Sequence, residues 1–370
     1  MQNKKIRVGI LGATGMVGQR LITLLVDHPW FEIVALAASP RSAGKKYAEA
    51  VEGRWNMEVS LPEQVAAMQL SDVVEDIVTI SESVDLVFSA ISLEKERIRD
   101  IENSYAAAGV AVVSNNSAHR WSEDVPMIVP EVNAAHLALI HEQRKLRGWS
   151  SGCIVVKPNC SIQSYVMVLS ALRTFVPMNA QVTSMQAVSG AGRTLLTWPE
   201  MQGNIIPFID GEEEKSEREP LRIWGNVHGA SIELASVPTI SATCVRVPVL
   251  DGHMASVGVS FRTVPTRSQI MQAITDFNQN NALTGLDLPS APSQPLQYFE
   301  EPDRPQSRVD SGYENGMGVT MGRLREGKLF DWDFISLAHN TLRGAAGGSV
   351  LTAELLVKKG FVGSADPSTE

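Results

Sequence analysis

Cys160 is the side chain in this sequence that best fits covalent chemistry. It lies in the segment PNCS, after a predicted apolar strand at 154–156 and at the start of a predicted helix over about 161–175. A thiol at the start of a helix faces the positive end of the helix dipole, which lowers the thiol pKa and increases the thiolate fraction. The alternative is a small buried core thiol, which is what we expect for Cys153 and Cys244 because they lie within apolar strands.

An arginine and a histidine lie on either side of a predicted turn between two later strands. The segment RVPVLDGH, from Arg246 to His253, ends one strand (237–248) and leads into the next (254–263). An arginine fork suits a substrate carboxylate, and a histidine suits proton transfer to the oxygen of a thiohemiacetal. Because a histidine after a glycine turn is more often structural than catalytic, both interpretations of His253 stay open at this point.

Three further segments carry polar residues where a small molecule could bind. Gln186 ends a strand that runs into a glycine turn, where its amide could orient a substrate. Glu212 and Lys215 are three residues apart and share a face if they are helical, although acidic residues also suit an ordinary solvated first turn. The segment NNSAHR at 115–120 follows a strand, at the carboxyl edge where open parallel sheets bind ligands.

The segment GILGATGMVG at 9–18 predicts a dinucleotide-binding loop. It follows a strand at 5–11 and precedes a helix at 15–26. In this context the glycines permit a tight turn and close approach of a pyrophosphate, and the helix offers free N–H groups. We prefer this interpretation to an ordinary glycine turn. A nicotinamide site in the same chain also favours a nucleophilic Cys160 over a core thiol.

The residues after the second strand indicate which dinucleotide binds. NAD enzymes usually have an acidic residue there that accepts from the ribose 2′-OH. Here the segment ASPRSAGKK at 38–46 has no carboxylate but carries Arg41, two lysines and two hydroxyls. Such groups suit a 2′-phosphate through charge-assisted hydrogen bonds. The alternative is an ordinary solvated basic loop, and the position of the segment makes us predict NADP.

Two domains are expected to position these residues. Strands and helices alternate in the first 150 residues, which predicts a parallel sheet with crossover helices. Beyond residue 150 the strands are longer and helices are fewer, which predicts a mostly antiparallel sheet. A final apolar helix at 345–359 is expected to pack back on its neighbour, and the Pro-rich stretch 288–308 looks like an excursion over the surface.

Composition excludes several classes of protein. The chain has 370 residues, 44% of them hydrophobic and 20% charged, as in globular proteins with two domains. No apolar run reaches the roughly 18 residues of a membrane helix, and no secretory signal is present. A net charge of −9 argues against nucleic acid as a partner. The three cysteines favour a reducing compartment, which we take to be the cytoplasm; we predict no metal site.

Taken in this order, the segments resemble aspartate-β-semialdehyde dehydrogenase, in the branch shared by fungal and archaeal enzymes. The resemblance covers nearly the whole chain. It implies a Rossmann-type domain of parallel strands, at 1–150 plus 341–370, and an α+β catalytic and dimerisation domain at 151–340. It rests on nine segments: GATGMVG, SPRSAGKK, SNNSAHR, VPEVN, KPNCSIQ, QAVSGAG, EEEK, RVPVLDGH and HNTLRGAAGG.

The resemblance also implies a role for each candidate residue. In the catalytic pair, Cys160 is the nucleophile and His253 the acid/base. In the substrate-binding set, Gln186 orients the substrate, Arg246 holds its carboxylate and Glu212 holds its ammonium. Arg120 and Lys215 bind phosphate, and Asn116 is also a member of this set. The cofactor-binding set comprises Gly12, Thr14, Gly15, Met16 and Val17 at the pyrophosphate, Ser39, Arg41 and Ser42 at the 2′-phosphate, Asn340 near the nicotinamide amide, and Ser89, Ser189 and Gly190.

These roles imply reversible, NADP-dependent reduction of L-aspartyl-4-phosphate to L-aspartate 4-semialdehyde through a cysteine thioester, feeding lysine, threonine and methionine synthesis. We expect a homodimer or homotetramer. A malonyl-CoA reductase would share the thioester chemistry, but the ammonium of an amino-acid substrate needs a carboxylate, which Glu212 supplies. A non-catalytic NADP-sensing protein would have no reason to keep a cysteine at a helix start with an arginine and a histidine.

Overall fold

The first sheet contains six parallel strands. The structure, a computed structural model, describes residues 4–363. The strands pair in the order β3-β2-β1-β4-β5-β6, so the order reverses beside β1 and the carboxyl ends of β1 and β4 flank the switch point, where such sheets bind ligands. The six strands are β1 (Ile6–Leu11), β2 (Phe31–Ala38), β3 (Leu70–Asp72), β4 (Leu86–Ser89), β5 (Ala111–Ser114) and β6 (Cys153–Val156).

Helices cross between these strands, as the alternating pattern predicts. The strand centres are buried on both faces; Val87, Phe88, Val112 and Val113, for example, have no exposed surface. Burial on both faces is the reason that these strands read as continuous apolar runs. The helices are α1 (Met16–Leu25), α2 (Tyr47–Ala50), α3 (Glu63–Ala66), α4 (Ile77–Ser83), α5 (Lys95–Ala107), α6 (Pro130–Asn133) and α7 (Leu139–Arg147).

The second sheet is mixed rather than purely antiparallel. Its order is β10-β7-β11-β14-β13-β12. The three central pairs are antiparallel, and the outer pairs on both edges are parallel. A short separate ribbon, β8–β9, precedes β10. The strands are β7 (Pro177–Gln186), β8 (Asn226–His228), β9 (Ser231–Glu233), β10 (Thr239–Arg246), β11 (His253–Phe261), β12 (Leu296–Phe299), β13 (Val319–Glu326) and β14 (Trp332–Ala338).

Five further helices follow β6 in the described part of the chain. The first of them packs against β11, β13 and β14, and it is buried almost all round. The last packs against α1 and β5 of the first sheet, so the chain returns to the first domain after β14. They are α8 (Gln163–Ala171), α9 (Glu212–Ile223), α10 (Arg267–Gln279), α11 (Ser307–Asp310) and α12 (Ala346–Lys358).

The fold class predicted from the sequence, a Rossmann-type parallel sheet domain followed by an α+β domain, is confirmed by these two sheets. The domain boundaries stay a prediction. β6 pairs with β5 in the first sheet although it follows residue 150, so that sheet extends at least six residues beyond the predicted boundary. The last seven residues of the predicted 341–370 segment lie outside the described residues.

The Pro-rich stretch 288–308 is more than a surface excursion. It contains β12, which pairs in parallel with β13 and forms the outer edge of the second sheet. Leu296 is buried, and the Asn278 side chain both donates to its carbonyl and accepts from its N–H, each at 2.8 Å. Prolines are tolerated beside an edge strand, since only one side of it must pair. The high proline content of this stretch is therefore the reason that the strand β12 was not predicted from the sequence.

Candidate active site

The turn that carries Cys160 connects β6 to α8 and is held by two side chains. Asn159 accepts at Oδ1 from the backbone N–H of Ser161, at 2.7 Å. Its own backbone N–H donates to Oε2 of Glu219, at 2.6 Å. Glu219 lies on α9 and is completely buried. The turn is thus fixed both locally and by a carboxylate from a helix sixty residues further along the chain.

The thiol of Cys160 is not acidified in the way that the sequence predicted. Burial, together with the negative charge of Glu212, raises the pKa of this half-buried cysteine to about 11. The positive charges of Lys157, Arg120 and Arg246 act in the opposite direction without overcoming burial. The helix dipole contributes little because α8 begins three residues later, at Gln163. The expectation of a lowered pKa is therefore wrong for the free protein.

Glu212 is the centre of a hydrogen-bonded network beside the Cys160 turn. Its carboxylate accepts from Asn159 Nδ2 at 2.8 and 3.0 Å, from Gln186 Nε2 at 3.2 Å and from Lys215 Nζ at 2.8 Å. Burial alone would raise its pKa, but Lys215 and the two amides outweigh burial and hold the pKa below its ordinary value. Glu212 is therefore ionised, Lys215 shares its face as the spacing predicted, and Gln186 joins them from the end of β7.

Arg246 and His253 converge on Gly190, as the RVPVLDGH spacing suggested. A Cβ at Gly190 would lie 2.9 Å from His253 Nε2 and 3.0 Å from Arg246 Nη1, so only glycine fits between them. Arg246 ends β10 and is 6% exposed; its Nη1 donates to the carbonyl of Ala187 at 2.8 Å. The rest of its guanidinium fork is free to meet an anion, because the residues that the structure describes occupy a single one of its five N–H groups.

The tautomer of His253 is fixed by the backbone. Its Nδ1 accepts from the N–H of Ala187 at 3.0 Å, so the neutral ring carries its proton on Nε2. Burial lowers the pKa of His253 to about 3, with Arg246 adding to the effect. Nε2 finds no hydrogen-bond partner among the described residues. At neutral pH His253 is therefore an uncharged hydrogen-bond donor that faces the site.

Arg120 reaches the same site from the first sheet. It donates from Nε to the carbonyl of Lys157 at 3.0 Å, from Nη1 to Glu219 at 2.9 Å and from Nη2 to the carbonyl of Asn115 at 3.3 Å. Counting partners within the described part of the chain, two of its five N–H groups remain for an anion such as phosphate. Asn116 differs: both amide N–H groups are used, on Ser89 at 2.9 Å and on the buried Glu102 at 3.0 Å.

The glycine loop has the shape that a dinucleotide pyrophosphate requires. Gly12 has φ of +84°, and a Cβ there would overlap the carbonyl of Ala90. A Cβ at Gly18 would overlap the carbonyl of Gly12, so glycine also permits the close packing of α1 on the loop. The predicted contacts at Thr14, Gly15, Met16 and Val17 form the end of this loop and the first turn of α1, where backbone N–H groups face outward.

The proposed 2′-phosphate segment forms a turn after β2. The N–H of Ser42 donates to the carbonyl of Ser39 at 2.8 Å, which brings the two hydroxyl-bearing residues together. Arg41 lies between them and is exposed. No ion pair involves Arg41 within residues 4–363. The side chain is thus available to an anionic ligand.

Ser189 and Asn340 form a separate network between the two sheets. Asn340 Nδ2 donates to Ser189 Oγ at 2.7 Å, and Ser189 Oγ donates to Asp251 at 2.7 Å. Asn340 Oδ1 accepts from the N–H of Gly252, directly before His253. This network joins the segment after β14 to the turn that carries His253. It places the predicted cofactor-binding residues Ser189, Gly190 and Asn340 beside the reactive groups.

Sequence reasoning did not select Lys157 or Glu219 as site residues. Lys157 directly follows the apolar strand β6, and a lysine at the carboxyl end of a parallel strand is a signal that could have been used. Glu219 gave no such signal. It is one of five acidic residues in the charged helix α9, and only the packing of that helix distinguishes it.

Glu219→Gln is expected to loosen the Cys160 turn. Glutamine keeps the shape, but it turns an N–H₂ group towards the N–H of Asn159 or towards Arg120 and leaves the arginine uncompensated. Breaking a buried ion pair in this way costs about 3 kcal/mol. We expect a free energy of unfolding lower by about that amount in urea titrations. The matched control is Glu214→Gln on the same helix, which breaks an exposed pair with Arg218 and should cost less than about 1 kcal/mol. Equal losses in the two variants would contradict this role of Glu219.

Two protein-family models match this chain and show the class of protein to which it belongs. Residues 7–140 match the family described as "Semialdehyde dehydrogenase, NAD binding domain", and residues 169–343 match "Semialdehyde dehydrogenase, dimerisation domain". The chain is thus a semialdehyde dehydrogenase by family, a dinucleotide-dependent oxidoreductase that acts on an aldehyde. The prediction of a dinucleotide-binding first domain is confirmed.

Relatives define the particular family. Aspartate-semialdehyde dehydrogenase from Archaeoglobus fulgidus is 43% identical over 96% of this chain and 99% of that protein, and the Schizosaccharomyces pombe enzyme is also 43% identical, with the same coverage. The structure of the Candida albicans enzyme with NADP has a TM-score of 0.85, at 37% identity, covering 97% of this chain and 100% of that one. The chain belongs to the aspartate-semialdehyde dehydrogenase family, which confirms the resemblance in its motifs.

Proposed function

We propose that the chain catalyses the reversible, NADP-dependent interconversion of L-aspartyl-4-phosphate and L-aspartate 4-semialdehyde through a thioester on Cys160. The observation that carries this proposal is the placement of two opposite charges beside one thiol. Arg246 and Glu212 both act electrostatically on Cys160, and both are buried. A small amino acid has one carboxylate and one ammonium, so this pair of charges can fix its orientation relative to the sulfur.

In the oxidative direction, the residues of the site have separate roles in addition to the aldehyde, stabilisation of the oxygen and attack by phosphate. The sulfur of Cys160 adds to the aldehyde carbon, and the thiol proton passes by way of Nε2 of His253, the proposed acid/base, to the aldehyde oxygen, which becomes the hydroxyl of a thiohemiacetal. A backbone N–H near the start of α8 is a second donor for that oxygen. NADP bound in the first domain would supply the hydride acceptor for the same carbon, so that Cys160 would then hold the acyl group as a thioester. Phosphate held by Arg120 and Lys215 then attacks the thioester carbon, releasing aspartyl phosphate and the cysteine.

The glycine loop and the turn after β2 support NADP as the cofactor. The loop fits a pyrophosphate because Cβ atoms at Gly12 and Gly18 would overlap the backbone. The turn after β2 offers the guanidinium of Arg41 and the hydroxyls of Ser39 and Ser42, and no carboxylate that would repel a 2′-phosphate. The relative from Candida albicans was solved with NADP.

Arg41→Ala is expected to weaken NADP binding by roughly 10- to 100-fold, since one charge-assisted hydrogen bond contributes ~1.5–3 kcal/mol. NAD binding should hardly change, because NAD has no 2′-phosphate. Fluorescence titration of each cofactor measures both values. The control is Lys145→Met, which removes an exposed cation elsewhere and should leave both affinities unchanged. Equal losses for NADP and NAD would place Arg41 at the fold or the pyrophosphate instead.

A malonyl-CoA reductase is the alternative with the same thioester chemistry. Glu212 argues against it, because its ionised carboxylate suits a substrate ammonium and malonyl-CoA has none there. One relative, from Vibrio cholerae, was solved in complex with ASA, at 26% identity and a TM-score of 0.73 over 97% of this chain and 100% of that one. The deciding assay compares NADPH formation from aspartate semialdehyde, with and without phosphate, with NADPH oxidation by malonyl-CoA. Activity with malonyl-CoA but not with aspartate semialdehyde would overturn the proposal.

The proposed reaction places the protein in the synthesis of lysine, threonine and methionine. Its second half belongs to a dimerisation-domain family, and we propose a homodimer or homotetramer as the active form. Within residues 4–363, no helix is long and apolar enough to cross a membrane.

A further inference from the structure

Glu102 on α5 is a completely buried glutamate that has no cationic partner within residues 4–363. One of its oxygens, Oε1, accepts from Ser114 Oγ at 2.7 Å and from Asn116 Nδ2 at 3.0 Å. The other oxygen, Oε2, is buried without a hydrogen-bond partner in that range. Buried carboxyl groups normally have a cation or a metal as a partner, because an unpaired charge is costly to desolvate. The contacts of Glu102 therefore point to a function other than an ion pair.

The side chain that these contacts orient is the amide of Asn116. Its Nδ2 uses both N–H groups, on Ser89 Oγ at 2.9 Å and on Glu102 Oε1 at 3.0 Å. Its backbone N–H donates to Ser114 Oγ at 3.1 Å, and that hydroxyl donates to the same oxygen of Glu102. Rotation of the amide would break two hydrogen bonds and turn Oδ1 towards the Glu102 oxygen. The direction of the amide is therefore fixed.

Oδ1 of Asn116 is the atom that this orientation leaves for a ligand. It accepts no hydrogen bond from the residues that the structure describes, and Asn116 is half-buried rather than enclosed. An amide oxygen can only accept, so it does not suit the carboxylate or the acyl phosphate of the substrate, which offer acceptors as well. The substrate ammonium is a donor, but Glu212 is proposed to hold it. The ligand of Oδ1 is therefore an N–H or O–H group of another molecule.

The strand order places Asn116 between the glycine loop and Cys160. β1 leads into the glycine loop, β6 leads to Cys160, and the order β1-β4-β5-β6 puts two strands between them. Neighbouring strands are ~4.8 Å apart, so the carboxyl ends of β1 and β6 are roughly 14 Å apart. A nicotinamide nucleotide whose pyrophosphate lies on the loop must cross this gap for its ring to approach the cysteine. Asn116 follows β5, the strand beside β6, and so lies closer to the ring than to the pyrophosphate.

We propose that Oδ1 of Asn116 accepts a hydrogen bond from the carboxamide N–H₂ of the nicotinamide, and that Glu102 is the positioning residue that holds the Asn116 amide in this orientation. The inference rests on the NADP-dependent function proposed above and deepens it. A ring that is held by its carboxamide has a fixed position relative to the carbon on Cys160, which favours hydride transfer. Asn116 thereby moves from the predicted substrate-binding set to the cofactor-binding set.

Glu102 acts in this proposal through one oxygen and not through its charge. Oε1 accepts both hydrogen bonds whether the carboxyl group is ionised or carries a proton on Oε2. Glutamine also offers an acceptor at Oε1, whereas methionine has a similar length and offers none. Without the acceptor, one N–H of Asn116 has no partner, and the amide is free to turn its N–H₂ group towards the cofactor. Glutamine should therefore preserve the orientation, and methionine should not.

The test measures binding of the oxidised cofactor to the full-length chain by isothermal titration calorimetry, without substrate. NADP is compared with its 3-acetylpyridine analogue, in which a methyl group replaces the carboxamide NH₂ and removes the donor. Since one hydrogen bond is lost, the wild type should bind NADP roughly 3- to 10-fold more tightly than the analogue. Glu102→Met should bind the two equally, and Glu102→Gln should keep the preference. Glu96→Met, at an exposed position of the same helix, is the control and should match the wild type.

A ligand without the nicotinamide separates orientation of the amide from damage to the fold. ADP-ribose 2′-phosphate keeps the pyrophosphate and the 2′-phosphate, so Glu102→Met should bind it about as tightly as the wild type does. An equal loss of affinity for this ligand and for NADP would show that Glu102 only supports the fold, and would overturn the proposal. A Glu102→Met protein that still prefers NADP to the analogue would overturn it as well.

Asn116→Ala tests the acceptor directly and keeps the proposal testable if Glu102→Met does not fold. It should abolish the preference for NADP, and adding Glu102→Met should cause no further loss, because Glu102 acts through Asn116. A wild type without any preference, or an Asn116→Ala protein with the full preference, would contradict the proposal. Failure of the proposed function is a separate outcome, because the wild-type enzyme would then form no NADPH from aspartate semialdehyde, whatever its preference between the two cofactors.

Discussion

Cys160→Ser is expected to lower turnover by on the order of 10³-fold or more while NADP binding is retained. A hydroxyl is a far weaker acid than a thiol, and this position is already buried enough to raise the thiol pKa to about 11. The change is isosteric, so the hydrogen bonds of Asn159 that hold the turn should survive. Steady-state kinetics with aspartate semialdehyde and NADP, and a separate titration with NADP, measure the two effects.

The other two cysteines are the natural controls for this experiment. Cys153 and Cys244 are fully buried, and burial raises the pKa of each to about 11, as for Cys160. Acidity therefore does not distinguish the three thiols, but access does, because Cys160 alone of the three is partly exposed. Peptide mass mapping should find alkylation at Cys160 first. An active Cys160→Ala enzyme would end the nucleophile hypothesis.

Arg246→Lys is expected to raise the KM for the semialdehyde by roughly 10- to 100-fold and also to lower turnover, since a charge-assisted hydrogen bond contributes ~1.5–3 kcal/mol. The guanidinium can donate to the Ala187 carbonyl and still present a fork to a carboxylate, because it has several N–H groups in one plane. A lysine ammonium keeps the charge but cannot meet both demands in that geometry. The aldehyde carbon is then displaced from the Cys160 sulfur, which lowers turnover.

The measurement is steady-state kinetics with each substrate varied in turn. The KM for NADP should hardly change, because the glycine loop and the turn after β2 lie on the first sheet, whereas Arg246 ends a strand of the second. Arg41→Ala is the reciprocal control, with an effect on NADP and little on the semialdehyde. If Arg246→Lys changes only the NADP or phosphate parameters, Arg246 belongs to another subsite.

Features set by neighbouring residues could be predicted from the sequence. The strand–loop–helix around Gly12, the alternation of strands and helices, and the shared face of Glu212 and Lys215 all depend on contacts a few residues apart. The proximity of Arg246 and His253 could be predicted for the same reason, because Arg246 ends one strand, His253 begins the next, and one turn joins the two strands. The family resemblance supplied the order of these local motifs.

Only the tertiary structure decided the electrostatics of the site. The sequence suggested an acidified Cys160 from the nearby helix start, whereas burial and the charge of Glu212 raise the pKa of the thiol. Burial depends on how the two sheets and α12 close around a residue, which no local spacing records. For the same reason Glu219 and Lys157 were not selected, since one holds the cysteine turn from a distant helix and the other is enclosed by glycines almost two hundred residues away. The sequence by itself determined which groups are present and on which elements; long-range packing decided which of them are desolvated, charged or able to move a proton.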